Sequence, residues 1–280
     1  MNLYDQLLEL QVIEDAYLEW RTYRNQLTDF IIQEAKGNES IAILGAGRCN
    51  DIDLKRILAY FNEVTLVDKD RKAMEEGICK QEIVDLDQIK IRQMDFIGMS
   101  DTDYRNYADT LIKEVRKLGM NTNVHELAKV ALKELKRLEE KFEKININLG
   151  RKCYETTVTV GVHSQLLSML EWIWHIILQT IKQDESSVRA QIIKMNEKYV
   201  RRFNDLLVGA TNKRMIIGCE KERIGRSGSI QGAIQAINDL NRRMRCGEVS
   251  LLNEAQLEWK FNKKQGVVYI VDCQSIEVKR

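Results

Sequence analysis

The sequence predicts an α/β protein with a doubly wound, mostly parallel sheet that ends in an antiparallel hairpin. Three observations carry that prediction. Short apolar runs alternate with longer amphipathic stretches along most of the 280 residues, the pattern of strands joined by crossover helices. The first run breaks at Gly45-Ala46-Gly47, and after a helical stretch a second apolar run ends on Asp68. The last two runs, 256–261 and 267–271, are separated only by Asn262-Lys263-Lys264-Gln265-Gly266, which suits a hairpin turn.

Residues 3–35 place Leu7, Leu8, Leu10, Tyr17, Leu18, Leu27, Phe30 and Ile31 at mostly three- and four-residue spacing. One or two amphipathic helices before the first strand are expected, ended by Lys36-Gly37-Asn38. The first strand covers Ile41 to Leu44, the next helix carries Ile52, Ile57 and Leu58, and the second strand is 64–67. A helix at about 71–80 leads to a third strand, 89–94, which ends in Asp95-Phe96. Its alternation suggests less complete burial. Helices at about 103–118 and 124–145 follow, the second with Val124, Leu127, Ala131, Leu135, Leu138, Phe142 and Ile145 on one stripe. More than 50 residues between strands exceeds a simple crossover; scaffold or dimer surface is preferred here over a lid.

The fourth strand, 154–160, opens into Gly161-Val162-His163-Ser164-Gln165 and a helix at 166–181, with Ser164 a candidate N-cap. A helix over 186–208, a fifth strand over 214–219 and a helix from Ser229 to about residue 244 complete the run to the hairpin. The organisation expected is an N-terminal helical extension, 1–37, and one domain, 38–280, with a helical insertion at about 101–147.

Composition sets bounds on function. The net charge of +1 provides no global field for a polyanion. The densest basic cluster, Arg242, Arg243 and Arg245, reads as a solvated helix face. Nucleic acid and membrane are therefore not expected partners. Six cysteines without a C-x-x-C pair suggest a reduced, cytoplasmic protein. Acids within the first 15 residues argue against a signal or transit peptide, and Glu171, His175 and Gln179 interrupt the apolar run at 166–181.

The strand, glycine turn, helix, strand and acid of residues 40–70 form an arrangement suited to a nucleoside-bearing cofactor. Glycines admit backbone close to a ligand, and an acid at the next strand end can take ribose hydroxyls. A dinucleotide fingerprint would place a third glycine where Asn50 stands. No tyrosine is followed four residues later by lysine, so the short-chain reductase pair is absent, as are a P-loop and H-E-x-x-H. With three histidines and scattered cysteines, a metal site is not expected.

Over residues 40–275 the chain resembles the class I, Rossmann-like S-adenosylmethionine-dependent methyltransferases. Gly45-Ala46-Gly47, Asp68, Asp95-Phe96 and the terminal hairpin stand in that family's order. The resemblance implies a methyltransferase with S-adenosylmethionine as cofactor. Gly45, Ala46 and Gly47 would lie against its methionine part, Asp68 on the ribose, and Asp95 with Phe96 beside the adenine. Gly161 would border the cofactor at the end of the fourth strand. The family's acid two residues before the first glycine is here Ile43, and its third glycine is Cys49. Asp51 or Asp53 is a substitute carboxylate; the alternative is main-chain carbonyls.

Methyl transfer needs chiefly an in-line, close nucleophile and, where that nucleophile is protonated, a base. His163, at the fourth strand's end, is the candidate base, the competing role being a cap on the following helix. With no proline in the chain, the Asp/Asn-Pro-Pro-aromatic turn of base amino-methylating enzymes is excluded. A small-molecule acceptor is expected, with homodimerisation through the helical regions as a further expectation. Two other readings stay open: an NAD(P)-dependent oxidoreductase, and a non-catalytic Rossmann-like protein that binds a ligand or partner.

Overall fold

Three helices precede the sheet: α1 (Leu3–Leu10), α2 (Ala16–Glu19) and α3 (Arg21–Glu34). In this computed structural model residues 2–119, 123–225 and 230–279 are described. The chain then alternates through β1 (Ser40–Leu44), α4 (Leu54–Tyr60), β2 (Glu63–Asp68), α5 (Arg71–Lys80) and β3 (Ile89–Gln93). Two long helices, α6 (Asp101–Leu118) and α7 (Val124–Glu143), lead to β4 (Tyr154–Val160). The remainder is α8 (Val162–Gln165), α9 (Ser168–Ile181), α10 (Ser187–Ala210), β5 (Thr211–Arg223), α11 (Gln231–Arg245), β6 (Val249–Asn262) and β7 (Val267–Val278).

The strands form one seven-stranded sheet in the order β3-β2-β1-β4-β5-β7-β6. β1 pairs in parallel with β2 and β4, as β2 does with β3 and β4 with β5, while β7 runs antiparallel to both β5 and β6. The order reverses between β1 and β4. Such a switch point opens a crevice at the strands' carboxyl ends. Because successive side chains alternate faces, Ile41 and Ile43 enter one core with α3, α4 and α5, whereas Ala42 and Leu44 enter the other with α1, α6, α7, α9, α10 and α11.

Both ends of the chain contribute to the first of these cores. Tyr23, Leu27 and Ile31 of α3 are buried with Trp259 of β6 and Val271 and Cys273 of β7. Trp20 Nε1–H donates to the carbonyl of Phe261 at 2.9 Å, and the Tyr23 and Trp259 rings stack at 4.9 Å. The N-terminal helices are thus built into the domain. The apolar stripe of α7 is likewise spent inside the chain: Leu127, Ala131, Leu135, Leu138 and Phe142 are all fully buried. That leaves the stripe to the scaffold and removes it as a surface for association.

Several boundaries differ from expectation for identifiable reasons. β5, β6 and β7 outrun their predicted spans because hairpin pairing extends β5 to Arg223 and carries β6 back to Val249, beyond the apolar face of Leu257, Trp259 and Phe261, along an exposed edge. The predicted start of the last major helix at Ser229 lies outside the described residues, and α11 is described from Gln231. Ser164 is not an N-cap. It lies within α8, where its Oγ–H meets the Gly161 carbonyl at 2.9 Å and the Glu220 carboxylate at 3.0 Å. Arg243 leaves the expected solvated face: it is 3% exposed and bonded to Asp239, Asp205 and Glu248.

Among the described residues no helix is long and apolar enough to cross a membrane. The six cysteines are unpaired, with Cys49, Cys219 and Cys273 buried.

Candidate functional site

The glycine turn closes on β2. Gly45 N–H donates to the Val67 carbonyl at 2.8 Å, and Ala46 N–H reaches the same oxygen at 3.2 Å. Gly45 (φ +77°) and Gly47 (φ +46°) are both left-handed, which glycine adopts without a Cβ penalty. Their surroundings differ. A Cβ on Gly45 would stand 2.2 Å from Val162 Cγ2, whereas one on Gly47 would meet no heavy atom within 4 Å. Gly45 is required by the protein's own packing, and Gly47 leaves space beside the crevice.

Asp68 ends β2 directly behind this turn. Its Oδ2 accepts the Gly47 N–H at 2.9 Å and its Oδ1 the Asp70 N–H at 2.9 Å. Burial raises its pKa above the ordinary carboxylate value, opposed by these two N–H donors. Glycine turn and acid therefore meet, as the sequence suggested, and the acid keeps lone pairs beyond those two bonds.

The loop after the turn is held from three sides. Arg24 Nη1 donates to the carbonyls of Tyr17 at 2.5 Å and Asn50 at 3.0 Å. Gln81, 2% exposed, donates through Nε2 to the Cys49 and Ile52 carbonyls and accepts the Leu54 N–H. Thr28 Oγ1 accepts the Asp53 N–H at 3.0 Å. Cys49 adopts φ +48° and is 1% exposed, so the place of the missing third glycine keeps a glycine-like backbone despite its side chain. Of the two substitute acids, Asp53 caps α4 by accepting the Arg56 N–H at 3.1 Å. Asp51 sits in the half-buried loop; burial raises its pKa to about 6, with Arg24 opposing.

At the end of β3, Asp95 Oδ1 gathers the N–H groups of Ile97, Gly98 and Met99 at 2.9, 2.5 and 3.0 Å. Asp95 thereby organises the entry to α6. The Phe96 ring turns towards α10, 4.8 Å from Phe203.

Gly161 follows β4 with φ +69°, and a Cβ there would come 3.0 Å from Glu220 Oε1. His163, two residues on, is 1% exposed. Its Nε2 lies 2.9 Å from Asn204 Oδ1, while Asn204 Nδ2 donates to Asp239 Oδ2 at 2.9 Å. With the amide oriented by Asp239, Nε2 must carry the proton. The remaining lone pair, on Nδ1, faces Cys219 Sγ at 4.0 Å. Burial lowers the pKa of His163 to about 4. The imidazole is thus neutral, enclosed, and joined through Asn204 and Asp239 to Arg243, an arrangement that positions α8 against α10 and α11.

Glu220 carried no sequence signal, since an acid in a strand is ordinarily solvent-facing. It is 5% exposed on β5, and its Oε2 has no hydrogen-bond partner. Burial raises its pKa, opposed first by the N–H of its own backbone and then by the Ser164 hydroxyl. Tyr23 reaches this region from α3 with a buried hydroxyl that also lacks a partner, in the field of Asp51 and Glu220. Asn50 Oδ1 is a third buried, unpartnered oxygen.

A separate cavity of about 460 Å³ opens at the opposite end of β4, among Asn148, Arg151, Arg202 and Asp205. It shares no residue with the turn. Among the described residues no cluster of three or more His, Cys, Asp or Glu could hold a metal ion.

No family model matches the sequence, and no curated protein matches it. Solved structures do resemble the fold. Magnesium protoporphyrin IX methyltransferase (ChlM) from Synechocystis PCC 6803 with bound SAM is similar at a TM-score of 0.45 and 10% identity, over 94% of this chain and 85% of that one. A SAM dependent methyltransferase from Aquifex aeolicus is similar at a TM-score of 0.45 and 8% identity, over 98% of each chain. The YcgJ protein from Bacillus subtilis is similar at 0.43 and 8% identity, over 91% of this chain and 99% of that one.

Proposed function

We propose that this chain is a methyltransferase that binds S-adenosylmethionine at the carboxyl ends of β1 and β4 and acts on a small-molecule acceptor. The observation that carries the reading is the pairing of Gly47 with Asp68 at the sheet's switch point. There an open glycine position lies against an acid whose free lone pairs suit a ribose diol. The residues present fit the group. Gly45, Ala46 and Gly47 furnish the close approach, Asp68 accepts the ribose hydroxyls, and Asp51 offers the carboxylate that Ile43 does not. Gly161 borders the same crevice and Asp95 borders the base from the end of β3, whereas Phe96 packs against Phe203 of α10.

When bound, S-adenosylmethionine supplies a methyl group already activated on a sulfonium. The protein's own task is then to hold the acceptor in line, exclude water and take any proton released. His163 serves this site by positioning α8, since its free lone pair faces Cys219.

Isothermal titration with S-adenosylmethionine, S-adenosylhomocysteine and NADH tests the reading. Saturable binding of the first two, lost in Asp68→Ala, is expected. Binding of NADH alone would point to the oxidoreductase reading and overturn this one.

A further inference from the structure

Resting on the proposed cofactor, we infer that Glu220 binds the acceptor and takes its proton, and that the acceptor is an amine. Glu220 stands on β5, the strand beside β4, so its carboxylate lies next to the crevice at the switch point. One hydrogen bond fixes it there, Ser164 Oγ–H on Oε1 at 3.0 Å, and Gly161 leaves it room, since a Cβ at that residue would come 3.0 Å from the same oxygen. Oε1 is therefore held, and Oε2 is left buried with no donor. No cation figures among the groups that set the ionisation of Glu220. A carboxylate withdrawn from water without a counter-ion is a standing cost, relieved when a cation or strong donor enters. The neighbouring Tyr23 hydroxyl and Asn50 Oδ1 are likewise buried without partners. Arg24 of α3 donates through Nη1 to the carbonyls of Tyr17 and Asn50, and its charge acts on Asp51 and not on Glu220. Buried oxygens of this kind favour an ammonium head over a neutral alcohol or an anion.

The same placement suits a base. The bound ammonium first gives a proton to Glu220 Oε2, and the carboxyl formed there is the species that burial favours. The neutral amine nitrogen then forms its bond to the methyl carbon as the sulfur–carbon bond breaks, the sulfonium becoming a neutral thioether and the product leaving as the methylated ammonium. Charge and atoms balance without a further reactant.

The test titrates the S-adenosylhomocysteine-loaded protein with benzylamine and, separately, with benzyl alcohol, for the wild type and for Glu220→Gln. Glutamine keeps an oxygen for Ser164, and retained S-adenosylhomocysteine binding by the variant reports that the fold is intact. Benzylamine is expected to bind the wild type at least tenfold more tightly than Glu220→Gln, with benzyl alcohol indifferent to the substitution. If S-adenosylhomocysteine binds but benzylamine does not, or binds both proteins alike, the amine assignment is overturned while the cofactor reading stands. If S-adenosylhomocysteine binds neither protein, the cofactor reading falls and this inference falls with it.

Discussion

Gly45 and Gly47 sit two residues apart in one turn, and replacing each with alanine separates what the fold requires from what a ligand requires. In Gly45→Ala, an L-residue held at φ +77° costs about 1–2 kcal/mol. The new methyl, 2.2 Å from Val162 Cγ2, adds overpacking of about 1–3 kcal/mol. The expected loss is therefore about 2–5 kcal/mol, a large part of a typical domain's roughly 5–15 kcal/mol. Gly47→Ala carries only the left-handed penalty of about 1–2 kcal/mol, because its Cβ meets nothing within 4 Å. Urea unfolding followed by tryptophan fluorescence measures both. Calorimetry with S-adenosylhomocysteine should show Gly47→Ala, the milder lesion for stability, losing affinity at least tenfold. A double mutant with Val162→Ala should recover part of the Gly45→Ala loss, giving a coupling of about 0.5–3 kcal/mol. Equal stability of the two alanine variants, or strict additivity with Val162→Ala, would refute the steric argument; unchanged affinity in Gly47→Ala would refute the ligand argument.

Two other perturbations probe the buried network behind α8. Arg243→Ala takes one ion-pair partner from Asp239, which is 2% exposed at its side chain and keeps Arg242 and Asn204, and should cost about 1.5–3 kcal/mol in chemical denaturation. A loss below about 1 kcal/mol would show that the cage is slack. His163 is held neutral with a pKa near 4, below its unfolded value near 6.5, so the unfolded chain takes up its proton first as pH falls. The stability it contributes is present above pH 6.5 and drains by roughly 3 kcal/mol towards pH 4. In His163→Gln the pH dependence of thermal unfolding over that window should flatten, and an unchanged slope would contradict the buried neutral ring.

The elements with strong periodicity were readable from sequence alone. β4 and α5 match their predicted spans, because a run rich in β-branched residues closed by Gly161 and a capped 3.6-residue pattern each have one good solution. The glycine turn and Asp68 meet as expected since both are fixed by local chain geometry. What could not be read depends on residues far apart. Arg24, Gln81 and Thr28 hold the loop after the turn across separations of 25 to 32 residues. Arg243 looks like one of three surface arginines until Asp205, Asp239 and Glu248 are seen around it. Glu220 is an ordinary acid in sequence, and only the sheet reveals that water is kept from it. His163 was placed correctly at the strand end, but its enclosure comes from α10, 41 residues on.

The bond from Trp20 to the Phe261 carbonyl spans 241 residues, and it bears on how the chain is made. During synthesis α3 emerges long before β6 and β7, the strands that cover Trp20 and Tyr23. Until the C-terminal hairpin arrives, that side of the sheet has no edge to close against, and the loop to be closed is nearly the whole chain. Folding of this layer should therefore be a late step, one that waits for the hairpin to emerge. An interrupted chain lacking the hairpin would leave those aromatic rings uncovered, which makes such a product a target for aggregation or chaperone capture.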